Sequence, residues 1–287
     1  MQPGLCPAYD KEKRNPICPL QHLGLWVQML GINSRKPPAR KRRVTFLKER
    51  SATKEIMDLG GRDSAEIQGA YRLLARVNRF LGGRRVILKH LERFAKRWSE
   101  TEAVRILDVG TGGGDIPKAI IDWARKKRHR VLIFGLDKSE EALSFAREQC
   151  KNYPEIFWVH ADLEPSPFLP KSFDYVVSSM TFHHLSEAEA GRALAIFETL
   201  ARRGIIVNDL LRRARAYLWI SFFSRFTKNK MFRNDAPLSV LRGFRREEVE
   251  RIKKSAGTSY LQFYEHFGHR FALAGEKSEA SFATRNL

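Results

Sequence analysis

The feature that most constrains this chain is the run Arg105-Ile106-Leu107-Asp108-Val109-Gly110-Thr111-Gly112-Gly113-Gly114-Asp115. An apolar strand ends in a carboxylate and passes into a glycine-rich turn that opens a helix. In open α/β sheets, ligands bind beyond the carboxyl ends of the strands, where the strand order reverses. A P-loop needs Gly-Lys followed by Ser or Thr, and that is absent. A dinucleotide loop of the form GxGxxG, counted from Gly110, needs its third glycine at 115, where Asp115 stands. Asp108 and Asp115 would also repel a pyrophosphate at that helix terminus. A cationic ligand without phosphate suits the loop better. A strand-end carboxylate pairs with an ammonium, and the glycines let the backbone approach closely.

The segments around this loop predict an α/β fold. Apolar strands are expected at 104–109, 131–136, 156–159, 173–178 and 204–207, alternating with helices at 116–125, 139–150 and 187–201. Such alternation implies right-handed crossovers and a parallel sheet covered on both faces. Strands at 260–267 and 271–274 flank Gly268-His269-Arg270 and suit a closing hairpin. Residues 64–98 carry two helical patterns split by Gly82-Gly83. Helices are also expected at 212–226 and 245–255. Three regions follow: a basic extension at 1–50, interrupted by Pro3, Pro7, Pro16, Pro19, Pro37 and Pro38; a helical cap at 51–103; and a domain at 104–287 with a helical insertion at about 209–233.

The glycine loop resembles motif I of class I S-adenosylmethionine (SAM) dependent methyltransferases, and the resemblance runs in order over residues 103–208. It implies a Rossmann-like fold with a mostly parallel seven-stranded sheet, an antiparallel C-terminal hairpin and helices on both faces. It implies SAM as the cofactor, bound by Asp108, Gly110, Thr111, Gly112 and Gly114. Asp137, ending the second strand, matches the acidic residue that accepts both ribose hydroxyls; it is also a candidate N-cap before Ser139, and the two roles are compatible. Asp162 and Leu163 match the adenine contact after the third strand, where Asp162 also reads as a plain turn residue. Ser178 and Ser179 match the fourth strand, which approaches the donor.

After that strand comes Met180-Thr181-Phe182-His183-His184-Leu185. A similar His-His-Leu occurs in the ubiquinone and menaquinone methyltransferase group, whose members act on small molecules. His183 and His184 are therefore candidate bases for a hydroxyl acceptor; the alternative is that they cap and pack the next helix. The segments 71–83 and 208–232 are expected to wall the acceptor site, with Asn208, Asp209, Tyr217 and Trp219 as candidate contacts. The aromatic stretch 217–223, ringed by Arg212, Arg213, Arg215, Arg225, Lys228 and Lys230, suits an apolar acceptor pocket, a peripheral membrane contact or ordinary core packing.

The net charge of +20 is unevenly placed: residues 104–200 carry −2 and residues 201–254 carry +10. An anionic partner would meet the flanks, so RNA methylation is the alternative to methylation of a small apolar or aromatic acceptor on oxygen or carbon. DNA amino-methylation and cytosine C5 chemistry are disfavoured. Ser178-Ser179-Met180-Thr181 replaces the Asp/Asn-Pro-Pro-aromatic pattern, and no cysteine follows Cys150. Cys6, Cys18 and Cys150 form neither a disulfide framework nor a metal pattern, which predicts a cytoplasmic protein without a metal. No apolar run reaches the roughly 18–20 residues that a membrane-spanning helix needs.

Overall fold

The computed structural model describes residues 47–59 and 64–278; apart from residues 47–50, the expected basic extension lies outside them. Seven strands form one sheet: β1 (Val104–Val109), β2 (Val131–Asp137), β3 (Ile156–His160), β4 (Phe173–Ser179), β5 (Ala201–Leu210), β6 (Gln262–His266) and β7 (Arg270–Glu276). Their order is β3-β2-β1-β4-β5-β7-β6. The first five are parallel, and β7 lies antiparallel between β5 and β6. The direction of winding reverses between β1 and β4, so the crevice beyond their carboxyl ends is the expected ligand position.

Eight helices accompany the sheet among the described residues: α1 (Ser64–Phe80), α2 (Gly83–Phe94), α3 (Asp115–Lys127), α4 (Glu140–Gln149), α5 (Glu187–Leu200), α6 (Ala214–Phe223), α7 (Lys230–Arg242) and α8 (Arg246–Ser255). Successive side chains of a strand point to opposite faces. Accordingly Ile106, Tyr175 and Val177 join Ile87, Leu91 and Phe94 of α2 and Ile116, Ile120 and Ile121 of α3. Leu107, Val109 and Val176 join Leu194 and Phe197 of α5 and Val249 and Ile252 of α8 on the other face. Each such fully buried side chain contributes about 1.5–3 kcal/mol of transfer free energy.

Local chemistry sets several boundaries. Ser139 caps α4 by accepting from the Ala142 amide, and Ser186 with Glu189 forms a capping box at α5. Gly82, at φ +87°, separates α1 from α2. The β6–β7 turn places Gly268 and His269 at φ +78° and +55°, the positive values that tight hairpins require.

Two expectations change. The cap divides, because α2 is a layer of the core while α1 and residues 47–59 pack with α7. The insertion also runs further than 233. The expected helix at 212–226 becomes α6 followed by a 3-10 turn, Ser224–Phe226, and α7 then continues to Arg242. Pro237 argues against a helix because it lacks an amide proton. Burial of Met231, Phe232 and Val240 outweighs that loss.

Candidate active site

The donor side is built at the carboxyl ends of β1 and β2. Asp108 is buried and accepts a hydrogen bond from the Thr111 hydroxyl at 2.7 Å. Burial, reinforced by Asp115 and Asp137 and opposed by that hydrogen bond, pushes its carboxyl up to about 7. A buried acid of this kind favours a cationic partner. Gly110, Gly112 and Gly114 all adopt positive φ, at +69°, +52° and +76°. A Cβ on Gly110 would stand 2.3 Å from Oγ1 of Thr181, so the loop after β1 is pressed against the loop after β4.

Asp137 clamps the loop. One carboxylate oxygen accepts from the Gly112 amide at 2.8 Å and the other from the Ser139 amide at 3.0 Å. It is not the N-cap of α4, a role that Ser139 fills itself. An ionised carboxylate has about four lone-pair sites, so two remain for hydroxyl donors. Asp162 is exposed and accepts from the Glu164 amide at 3.4 Å, while Leu163 packs against the core.

Ser178 donates to the Val109 carbonyl at 2.9 Å, and Ser179 accepts from Asn208 Nδ2 at 2.7 Å. Both side chains are buried, and these bonds tie β1, β4 and β5 together.

A network that the sequence did not signal closes this side. The α1 helix crosses the glycine loop, with Tyr71 stacked on Phe145 at 5.6 Å. Asp115 accepts from Asn78 at 3.3 Å and from Arg84 at 3.2 Å. The fully buried Arg270 donates to Asn78 Oδ1 at 3.1 Å and to the Leu81 carbonyl at 3.2 Å. Burial pulls its guanidinium down to about 10. Asp115 is thus held by Asn78 of α1 and ion-paired with Arg84 of α2.

A second cluster assembles around the turn after β4. His183 is buried, and its Nδ1 lies 2.7 Å from Asp209 Oδ1; Asp209 also accepts from the His183 amide at 3.1 Å. Burial raises the Asp209 carboxyl, but His183 and the amide bonds outweigh it and hold the group below its usual range. Asp209 thus positions His183. His184 Nδ1 lies 3.0 Å from Asp58, and Glu55 packs against both imidazoles. Burial pushes the Glu55 carboxyl up to about 7. Glu55, His183 and His184 each present one ligand atom within 4.8 Å of the others, a set invisible to a search for local metal spacing.

Asn208 is buried and bonded to Ser179, with its Oδ1 unpaired. Trp219 is 62% exposed and stacks on Phe223 at the surface. Tyr217 is half-buried on the same helix. Glu55 and Asp58 went unnoticed in the sequence because residues 51–59 show no periodicity that would place them. Among the described residues, no helix is long and apolar enough to cross a membrane.

A family profile described as a methyltransferase domain matches residues 106–204. An uncharacterized methyltransferase of Geobacillus sp. (strain WCH70) is 30% identical over 112 residues, covering 38% of this chain and 49% of its own. A ubiquinone/menaquinone biosynthesis C-methyltransferase of Wigglesworthia glossinidia brevipalpis is 31% identical over 103 residues, covering 35% and 40%. A 2-phytyl-1,4-naphtoquinone methyltransferase of Thermosynechococcus vestitus is 30% identical over 83 residues, covering 29% and 36%. The chain spans about half the length of the first of these relatives and less of the other two. Among solved structures, the CurJ carbon methyltransferase aligns with a TM-score of 0.57 at 13% identity, covering 82% of this chain and 66% of that one. At that identity the likeness is one of fold. With its strand order, its acidic glycine loop and the family match in agreement, the domain built on residues 106–204 belongs to the class I SAM-dependent methyltransferases.

Proposed function

We propose that this protein transfers the methyl group of SAM to a small apolar or aromatic acceptor, on oxygen or carbon. The observation that carries the donor half is Asp108, a carboxylate buried behind a loop whose three glycines take positive φ. SAM, when bound, supplies a methyl group already activated on a sulfonium. Asp108 and the loop amides would hold its amino-acid end, and the spare lone pairs of Asp137 would accept from its ribose. Asp162 and Leu163 would border its adenine. Methyl transfer is an in-line displacement, so the chief task of the chain is alignment and exclusion of water. The α1 helix over the loop and the buried Asn78–Arg270 network serve that task.

Support for a small acceptor comes from the quinone methyltransferases among the relatives and from the state of the basic residues. Much of the positive charge in 201–254 is internally paired: Arg212 with Glu248, Arg213 with Glu265, Arg242 with Asp58 and Arg251 with Glu187. These residues do not form an open phosphate-binding face, which weakens the RNA reading. The exposed face of α6, with Leu218, Trp219, Phe222 and Phe223, continues into Phe226 and neighbours Arg215, Arg225, Lys228 and Lys230. That mixture suits an anionic lipid surface from which an apolar acceptor is drawn.

The test uses SAM carrying a labelled methyl group, incubated separately with short-chain quinols, simple phenols and total RNA. Label transfer to a quinol or phenol is the expected result. Transfer to RNA alone would overturn the acceptor assignment, and failure of the protein to bind SAM by calorimetry would overturn the donor assignment.

A further inference from the structure

The cluster after β4 brings two imidazoles and a carboxyl group together with no hydrogen bond between their facing atoms. The Asp209 carboxylate faces Nδ1 of His183 at 2.7 Å, which places the imidazole proton on Nδ1. Nε2 of His183 then carries a bare lone pair. It is buried and has no hydrogen-bond partner among the described residues. It points at Oε1 of Glu55, 3.6 Å away, too far for a hydrogen bond. His184 repeats the pattern: Asp58 engages its Nδ1 at 3.0 Å, and its Nε2 faces Oε2 of Glu55 at 4.0 Å. Two imidazole lone pairs and one carboxylate thus converge without touching.

We propose that Glu55, His183 and His184 form a binding site for a divalent first-row transition ion, with Asp209 and Asp58 orienting the two imidazoles. Ligands at about 2.0–2.2 Å around a tetrahedral ion lie about 3.4 Å from one another, near the separation of His183 Nε2 and Glu55 Oε1. The carboxylate–histidine–metal arrangement is the usual way in which ligating imidazoles are fixed. Two imidazoles with one carboxylate suit zinc or iron, and three protein ligands leave positions open.

The acids Asp58, Asp209 and Asp235 surround the cluster, and the guanidiniums of Arg242, Arg50 and Arg270 lie among them. Two of those arginines also pin the segment: Arg50 donates to the carbonyls of His183 and Leu185, and Arg242 to those of His183 and His184. The Ser239 hydroxyl donates to Oε1 of Glu55 at 2.9 Å and sets the carboxylate plane. An oxygen donor such as a phenolate or enolate would occupy an open position. That use rests on the methyl-transfer reading, whereas the metal site itself does not.

The test is titration of the untagged, chelator-treated full chain with Zn²⁺ by calorimetry, with Co²⁺ absorption as a second readout. The expected result is one equivalent bound at micromolar affinity or tighter. Glu55→Gln and His184→Gln should each weaken binding by about tenfold or more, and Asp58→Asn by about tenfold, with SAM affinity unchanged in all three. If Glu55→Gln fails to fold, Asp58→Asn, whose side chain is partly exposed, carries the test. A wild-type chain that binds SAM but shows no saturable Zn²⁺ binding overturns the proposal. So does Zn²⁺ binding that these substitutions leave unchanged. Zn²⁺ binding by a chain that does not bind SAM supports the metal site and sinks the methyl-transfer reading instead.

Discussion

The glycine-loop side and the histidine cluster, proposed as the donor and acceptor sides, are built in opposite ways. Asp108, the glycines and Asp137 lie within thirty residues of one another and are joined by hydrogen bonds across short sequence distances. Glu55, Asp58, His183, Asp209 and Arg242 come from four separate segments and meet only when the chain is folded. The donor side is a continuous strand–loop–helix unit, whose geometry is dictated by backbone conformation. The acceptor side is a junction of buried charges, whose geometry is dictated by packing. Damage to the first should therefore appear as lost affinity, and damage to the second as lost stability.

The largest expected effect tests that division directly. Asp209→Ala leaves His183 and two amides without their partner, and breaking such a buried pair costs about 3–5 kcal/mol. Chemical denaturation should show this loss, while SAM affinity measured on the folded fraction should hardly change; a large loss of SAM affinity would break the comparison. Asp108→Ala should do the reverse. It should weaken SAM binding by about 100-fold, or about 2.7 kcal/mol, by calorimetry. Retained affinity would remove Asp108 from the donor site.

A pH series sharpens the same contrast. Burial lifts the Asp108 carboxyl to about 7, above its unfolded range, so folding disfavours its charged form. Its contribution to the stability of the unliganded protein should therefore fall as pH rises from about 4 to 7. An ammonium on the ligand favours the carboxylate. SAM affinity should thus rise by up to about tenfold per pH unit below 7 and level off above it, with proton release on binding. Asp108→Asn should flatten both trends, and an unaltered pH profile in that variant would assign the effect to another group.

The smallest effect belongs to the surface of α6. Trp219→Ser should change stability by no more than about 0.5 kcal/mol and leave SAM affinity intact. It should reduce co-flotation with vesicles containing anionic lipid. Equal flotation of wild type and variant would remove that helix face from the lipid contact.

Most of the sheet was legible because its signals are local. Apolar runs separated by turn residues mark β1 to β5, and Gly268-His269 marks the hairpin. The α7 helix was not legible, since Pro237 is locally unfavourable and only burial of Met231, Phe232 and Val240 reveals why the helix persists. The same division holds in the site. The strand ends and glycines that carry the donor reading stand in one short motif. Ser178, Ser179 and Trp219 carry residue types suited to a ligand, but only the structure shows that the two serines are buried and the tryptophan exposed. A residue type does not report which face it occupies once the neighbouring elements can rotate it away.

The sequence by itself therefore determined the parallel sheet, the crevice at β1 and the chemistry that this crevice selects. A positive-φ glycine loop after a strand-end carboxylate admits few ligands, and that constraint is written in adjacent residues. Only the tertiary structure decided that Glu55 reaches His183 and His184, that Asp209 turns inward to hold an imidazole, and that Arg242 and Arg50 pin the segment. Those contacts join positions up to 133 residues apart. Their geometry comes from packing and from the mutual pairing of buried polar groups, a property of the folded interior that no local pattern encodes.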